Sequence, residues 1–177
     1  MKNVLFVFGL LLAGCSAADP AVDQYFKTTN PTDIDPANIV ARLDVPTGLA
    51  IPTEGFALNF AAHRSDIAET LSGKFFLAQD QDMWRLHPQD LPKLRALQAQ
   101  TKAWKEAAPD TTKGSLNLSI AGCRTAAPLD EAATVSASLS MDGGDRFLPV
   151  IQNMPLRQVI NVPTDSTSPS RCAEAIR

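Results

Sequence analysis

Residues 115–123 read SLNLSIAGC, and the first six decide the fold class. Leu116, Leu118 and Ile120 alternate with Ser115, Asn117 and Ser119. Successive side chains of a strand point to opposite faces, so this period of two places three aliphatic groups on one face and polar groups on the other. The pattern recurs outward from there. Upstream, IVARLDV (39–45) aligns Ile39, Ala41, Leu43 and Val45, and GFALNFAAH (55–63) aligns Phe56, Leu58 and Phe60. GKFFLAQ (73–79) and DMWRLH (82–87) are shorter and less regular strand candidates. Downstream, TVSASLSM (134–141) aligns Val135, Ala137, Leu139 and Met141, and DRFLPVIQ (145–152) and LRQVINV (156–162) complete the set. Half-buried antiparallel strands separated by turn residues are what such runs predict. DGGD (142–145) supplies the positive-φ residues of a tight hairpin. Pro149, inside the following run, moves that strand towards an edge or a bulge.

One segment has a different period. In DLPKLRALQAQTKAWKEAA (90–108), Leu94, Leu97, Thr101, Trp104 and Ala108 recur at helical spacing. Asp90 is a suitable N-cap, Pro92 fits the first turn, and Pro109 is a stop. The chain is therefore expected to be mainly β: a single antiparallel β-sandwich, Ig-like or similar, of about seven or eight strands, with one inserted amphipathic α-helix near 91–108. The folded domain is placed at 39–177. Residues 16–38, rich in Ala, Asp, Thr and Pro, read as a flexible tether in which Tyr25 and Phe26 could dock locally.

With 177 residues the chain is long enough for one domain with a genuine core. Its formal charge of −3 argues against nucleic acid as a partner, because counterion release needs a basic surface. A hydrophobic content of 45% argues against wholesale disorder.

The N-terminus is laid out as an export signal. Lys2 is followed by an almost wholly apolar run from Val4 to Leu12, then by the small residues Ala13 and Gly14 and by Cys15. The apolar run is shorter than the ~20 residues a spanning helix needs. Leu12-Ala13-Gly14-Cys15 resembles the lipobox of bacterial lipoproteins. That resemblance, which covers residues 1–15 alone, implies that residues 1–14 are cleaved and that the Cys15 sulfur carries a diacylglyceryl group. It further implies that the new amine is acylated and that membrane lipid is a partner of the mature chain. Two or more acyl chains give stable attachment where one is marginal. Ser16 follows the cysteine, with no aspartate in its place, which by the enteric sorting rule implies the outer membrane, facing the periplasm. Removing residues 1–14 takes away one lysine and no acid, so the mature chain is one unit more negative.

Cys123 and Cys172 remain of the three cysteines. In an oxidising compartment two leftover thiols most simply pair, which would tie the C-terminal tail to the domain. The alternative is a thiol enzyme with Cys123 as nucleophile, which needs a thiolate-favouring site and a base that nothing nearby supplies.

Other candidate sites are weaker on chemistry. HRSD (63–66) contains the letters of a hydrolase triad, but adjacent residues project in different directions, and no GxSxG elbow is present. The two histidines, His63 and His87, carry no metal-ligand spacing. QDQD (79–82) lacks the glycine and closing glutamate of a calcium loop. No phosphate loop, dinucleotide fingerprint or HExxH occurs, so neither a metal nor a cofactor is expected. Lys93, Arg95, Lys102 and Lys105 make the helix a basic element in an acidic chain and a possible interaction surface for anionic lipid. Trp104 shares the apolar stripe and is assigned to the core. The sequence thus favours a non-catalytic envelope lipoprotein that binds an envelope protein partner or helps assemble an envelope structure. A periplasmic hydrolase or thiol enzyme with a site built from scattered residues is the alternative.

Overall fold

A computed structural model describes residues 29–160, together with Tyr25 and Cys172. The expected signal peptide and Cys15 lie outside the described residues. The strands are β1 (Val40–Asp44), β2 (Leu49–Ala50), β3 (Phe56–Arg64), β4 (Glu69–Asp80), β5 (Met83–Leu86), β6 (Thr112–Ile120), β7 (Cys123–Arg124), β8 (Thr134–Ser140) and β9 (Leu148–Pro155). The helices are α1 (Leu91–Ala107) and the single turn α2 (Leu156–Val159).

Seven strands form one antiparallel sheet in the order β6-β3-β4-β5-β1-β8-β9, and β2 and β7 form a separate small ladder. The expected division into two sheets is replaced by a continuous one. β4 is the reason: its residues 69–76 pair with β3, and its residues 77–80 pair with β5. One long strand therefore turns the corner between two halves that would otherwise face each other as separate layers. The sheet curls nearly into a barrel, bringing the outer strands β6 and β9 near one another. Inside it lie Phe56, Leu58, Phe60, Phe75, Leu77, Trp84 and Leu139, all buried, with Phe56 and Trp84 edge-to-face at 5.3 Å.

Several sequence readings recur in the fold with their physical causes visible. Pro149 lies on the edge strand β9, and the β8–β9 register is shifted around Ala137, as expected of a residue that cannot donate to a ladder. Gly143 and Gly144 adopt positive φ values of 87° and 113°. Their loop is longer than a tight hairpin and is organised by side chains. Ser140 Oγ donates to Asp142 and accepts from the Gly144 amide, and Asp142 accepts from the Arg146 amide. LRQVINV, expected to be a strand, begins with α2 instead. Leu156 and Val159 are buried three apart on one side of that turn, beneath Val135 and Leu49. A run this short satisfies either period, and tertiary packing selects the helical one.

The packed region also begins upstream of Ile39, the expected start of the domain. Ile34 and Pro36 are buried, and Asp35 caps the 3-10 turn Pro36–Asn38 by accepting from the Ala37 amide. The part of the expected tether from 30 to 38 is thus laid against α1, and Tyr25 packs on the core with Arg146 over its ring at 4.9 Å.

α1 packs against β3, β4 and β6. Its buried face is Leu94, Gln98, Thr101 and Trp104. Small residues make its seat: Gly73 lies beneath Leu97, where a Cβ would come within 2.8 Å of Leu97 Cδ1, and Gly114 lies beneath Thr101.

Candidate functional site

The C-terminal half of α1 does not close completely over the sheet. Between it, the start of β6 and the segment Asn30–Thr32 lies a cleft of about 630 Å³. That volume falls in the range of about 300–1,000 Å³ usual for small-molecule sites. Phe60 lines the interior, with Leu116 and Pro31 beside it, and Thr101 and Lys105 project from the helix. Thr112, Lys113, Gly114 and Ser115 form the β6 wall.

Each wall is held by identifiable contacts. Within α1, Thr101 Oγ1 donates to the Leu97 carbonyl at 2.8 Å, and the buried Thr112 hydroxyl donates to the Trp104 carbonyl at 3.1 Å, fixing strand to helix. Gln98 holds the third wall. Its Nε2 donates to the carbonyls of Pro31 and Ile34, both at 2.9 Å. Two exposed ion pairs act beside it, Lys102 to Asp33 at 2.7 Å and Arg95 to Asp35 at 2.8 Å. Magnitudes rank these contributions: each exposed pair is worth about 0–1 kcal/mol, whereas burying Ile34 is worth about 1.5–3 kcal/mol. The segment is therefore held chiefly by Ile34 and Gln98, and the ion pairs set its position along the helix. The Ala37 amide and then the Arg95 guanidinium hold the Asp35 carboxyl below its ordinary range, and Asp33 raises the Lys102 ammonium above its own.

The four basic residues expected to form an interaction surface thus have different fates. Arg95 and Lys102 bind the chain's own Asp35 and Asp33, and Lys93 lies 5.6 Å from the centre of the Phe75 ring. Lys105 faces the cleft, donating to the carbonyls of Pro109 at 2.7 Å and Thr112 at 3.3 Å. An ammonium has three donors, so one is left over. Neither Lys105 nor Lys113 pairs with a carboxylate among the described residues. Thr32 Oγ1, buried in the wall, has no hydrogen-bond partner among them either.

Cys123 and Cys172 are bonded, with Cα atoms 5.1 Å apart, and the Cys172 amide donates to the Arg124 carbonyl. HRSD does not assemble a triad. His63 Nδ1 lies 3.1 Å from Thr70 Oγ1, Ser65 Oγ donates to the Thr111 carbonyl, and Asp66 is engaged by Arg64 and Thr111. QDQD is the β4–β5 turn, with Gln81 at positive φ and Asp80 3.7 Å from Arg85. No group of three His, Cys, Asp or Glu side chains among the described residues could hold a metal ion. No helix among them is long and apolar enough to cross a membrane.

The cleft residues Phe60, Thr101, Lys105 and Lys113 come from three separate elements. Lys105 is legible as basic, but its place at the Thr112 carbonyl depends on how α1 crosses β6. The residues lining the cleft include two lysines and several hydroxyls, with no imidazole, thiol or carboxylate. Comparison of the chain with models of known families, with curated proteins and with solved structures finds no match.

Proposed function

We propose that this is a bacterial envelope lipoprotein, lipid-anchored through Cys15 in the outer membrane and facing the periplasm. Its domain is a non-catalytic binding module whose recognition site is the cleft between α1, β6 and residues 30–32. The observation that carries the anchor is the sequence itself: a lysine, an apolar run and LAGC in that order, on a chain whose other two cysteines are consumed by one disulfide. That bond is at home in an oxidising compartment and leaves no free thiol at Cys123 for a thiol enzyme. Apart from its lysines, the cleft lining holds no imidazole or carboxylate to serve as a general base beside its hydroxyls, which favours binding over hydrolysis.

The binding reading is tested by placing a photoreactive amino acid at position 105, where α1 lines the cleft, of the full lipoprotein in native envelopes. A discrete adduct, of small molecule or protein, is expected there. The reading fails if position 105 gives no more adduct than position 74, on the far part of β4.

A further inference from the structure

We propose that the free edge of β6 binds an extended segment of a partner protein, which adds to the sheet as a further strand and sets alternate apolar side chains into the cleft. This rests on the reading of the cleft as a binding site and names the class of its partner.

The hydrogen-bond phase of β6 decides what its outer edge offers. In an antiparallel pair, residues alternate between those that exchange both main-chain bonds with the neighbour and those whose N–H and C=O point away from it. The bonds flanking the β3–β6 ladder set that phase. The Ala121 amide donates to the Gly55 carbonyl at 2.6 Å, and the Ser65 amide to the Thr111 carbonyl at 3.1 Å. Both continue the register that pairs Phe56 with Ile120 and Arg64 with Thr112. The odd-numbered residues of β6 therefore bond to β3, and the even-numbered ones turn their main-chain groups outward. The two ends of the edge agree. The Thr112 amide donates to the Ala108 carbonyl and its carbonyl accepts from Lys105, while the Gly122 amide donates to the Val159 carbonyl. Between these capped ends, the N–H and C=O groups of Gly114, Leu116, Leu118 and Ile120 have no partner among the described residues. Another extended main chain matches that repeat of donors and acceptors.

The same residues leave the core uncovered. Leu116, Leu118 and Ile120 lie opposite Phe60, Leu58 and Phe56, yet they are half-buried where those three are buried. The cleft wraps the edge, because its lining takes Gly114 and Leu116 from the inner side of β6 and Lys113 and Ser115 from the outer side. Guest residues opposite Gly114 and Leu116 enter beside Phe60, and those between them lie along Lys113, Ser115 and Asn117. The segment that fits thus alternates apolar with polar residues.

The other edge of the sheet is guarded. β9 carries Pro149 and Pro155, a shifted register and Asn153 at positive φ. Residues 114–120 of β6 have no proline, no charge and no register shift, so this edge is open to strand addition. The chain's remaining stretches lack the pattern. NVPTDSTSPSR (161–171) has Pro163 and Pro169 with Val162 as its one aliphatic residue, and SAADPAVDQ (16–24) does not alternate.

The test places a photoreactive amino acid at position 113, 115 or 117, exposed on the outer side of β6, in separate full lipoproteins in native envelopes. Attachment sites are read by peptide mass spectrometry. All three are expected on one stretch of one partner protein, moving about two residues for each two-residue step along β6. Leu118→Pro removes an outward N–H and no bond to β3. It is expected to lower the adduct about tenfold below Leu118→Ala, which shortens the same side chain and keeps the N–H. Both variants must retain the wild-type melting transition; if Leu118→Pro does not, the ladder of attachment sites decides. Equal adduct from the two folded variants, attachment sites scattered over a partner's surface, or adducts to lipid alone or to a second copy of this chain overturn the proposal. If positions 113, 115 and 117 give no more adduct than position 74 while position 105 still gives one, strand addition is wrong and the binding module stands. If none of them gives an adduct, both fall.

Discussion

Removing the Cys123–Cys172 bond tests how the C-terminal part of the domain is held. The two cysteines are 49 residues apart in sequence, and the loop they close contains β8, β9 and α2. In the loop-entropy account, a cross-link of that span restricts the unfolded chain by about 4 kcal/mol at 25 °C. On the folded side the change removes little else. The small β2–β7 ladder and the Gly122 amide's bond to the Val159 carbonyl do not need the sulfurs, and Val135, Leu156 and Val159 stay buried without them. The Cys123→Ala/Cys172→Ala protein should therefore fold and lose about 4 kcal/mol, which at an m-value of about 2 kcal/mol/M moves the urea midpoint down by about 2 M. Urea titrations of wild type with and without reductant, alongside the double variant, measure this. Reduced wild type and the variant should coincide. A loss below about 1 kcal/mol, or a wild-type midpoint insensitive to reductant, would refute the reasoning.

Gln98→Leu keeps the volume of the helix face but leaves the Pro31 and Ile34 carbonyls without their donor. It should cost about 1–3 kcal/mol and speed hydrogen exchange at the Asn38 and Ile39 amides ahead of the strands. Gly48→Ala should cost at least about 1–3 kcal/mol, because Gly48 has φ +90° and an added Cβ would lie 2.6 Å from the Pro128 carbonyl oxygen; a thermal melt within error of wild type would contradict it. Asp35, whose folded carboxyl is held below its ordinary value of 3.8, contributes stability that is present above that value and lost as pH falls through the lower, folded one. Asp35→Asn should therefore flatten the acid limb of the melting-temperature profile below about pH 4 and leave the neutral region nearly unchanged. An unaltered acid limb would show that the pairing with Arg95 and Ala37 has no linkage to folding.

Much of the β architecture is legible because burial on a sheet imposes a period of two. Phe56, Leu58 and Phe60, and likewise Val135, Ala137 and Leu139, announce both the strand and its inner face. The helix is legible for the same reason at its own period, although Gln98 and not Leu97 proves fully buried. Hydropathy assigns the leucine to the core, whereas the backbone carbonyls of residues 31 and 34 call for a donor at that place. The first half of β4 is hard to read because Glu69, Thr70, Ser72 and Lys74 are exposed; alternation fades where neither face is well covered. That faded half is the part of β4 that pairs with β3 and turns two layers into one continuous sheet, so strand order was hidden with it. The disulfide followed from counting cysteines in a compartment. The cleft had no such signal, since Phe60, Lys105 and Thr112 meet only through the crossing of α1 over β6.

The anchor at Cys15 is the claim on which the rest of the functional reading depends. Its most direct test is the intact mass of the mature protein from native envelopes, with fragmentation of its N-terminal peptide. The account predicts a chain that begins at Cys15, carries a thioether-linked diacylglyceryl group and an amide-linked acyl chain, and is lost from the membrane fraction in Cys15→Ser. A chain that begins elsewhere, or an N-terminal Cys15 with a free thiol, would contradict it.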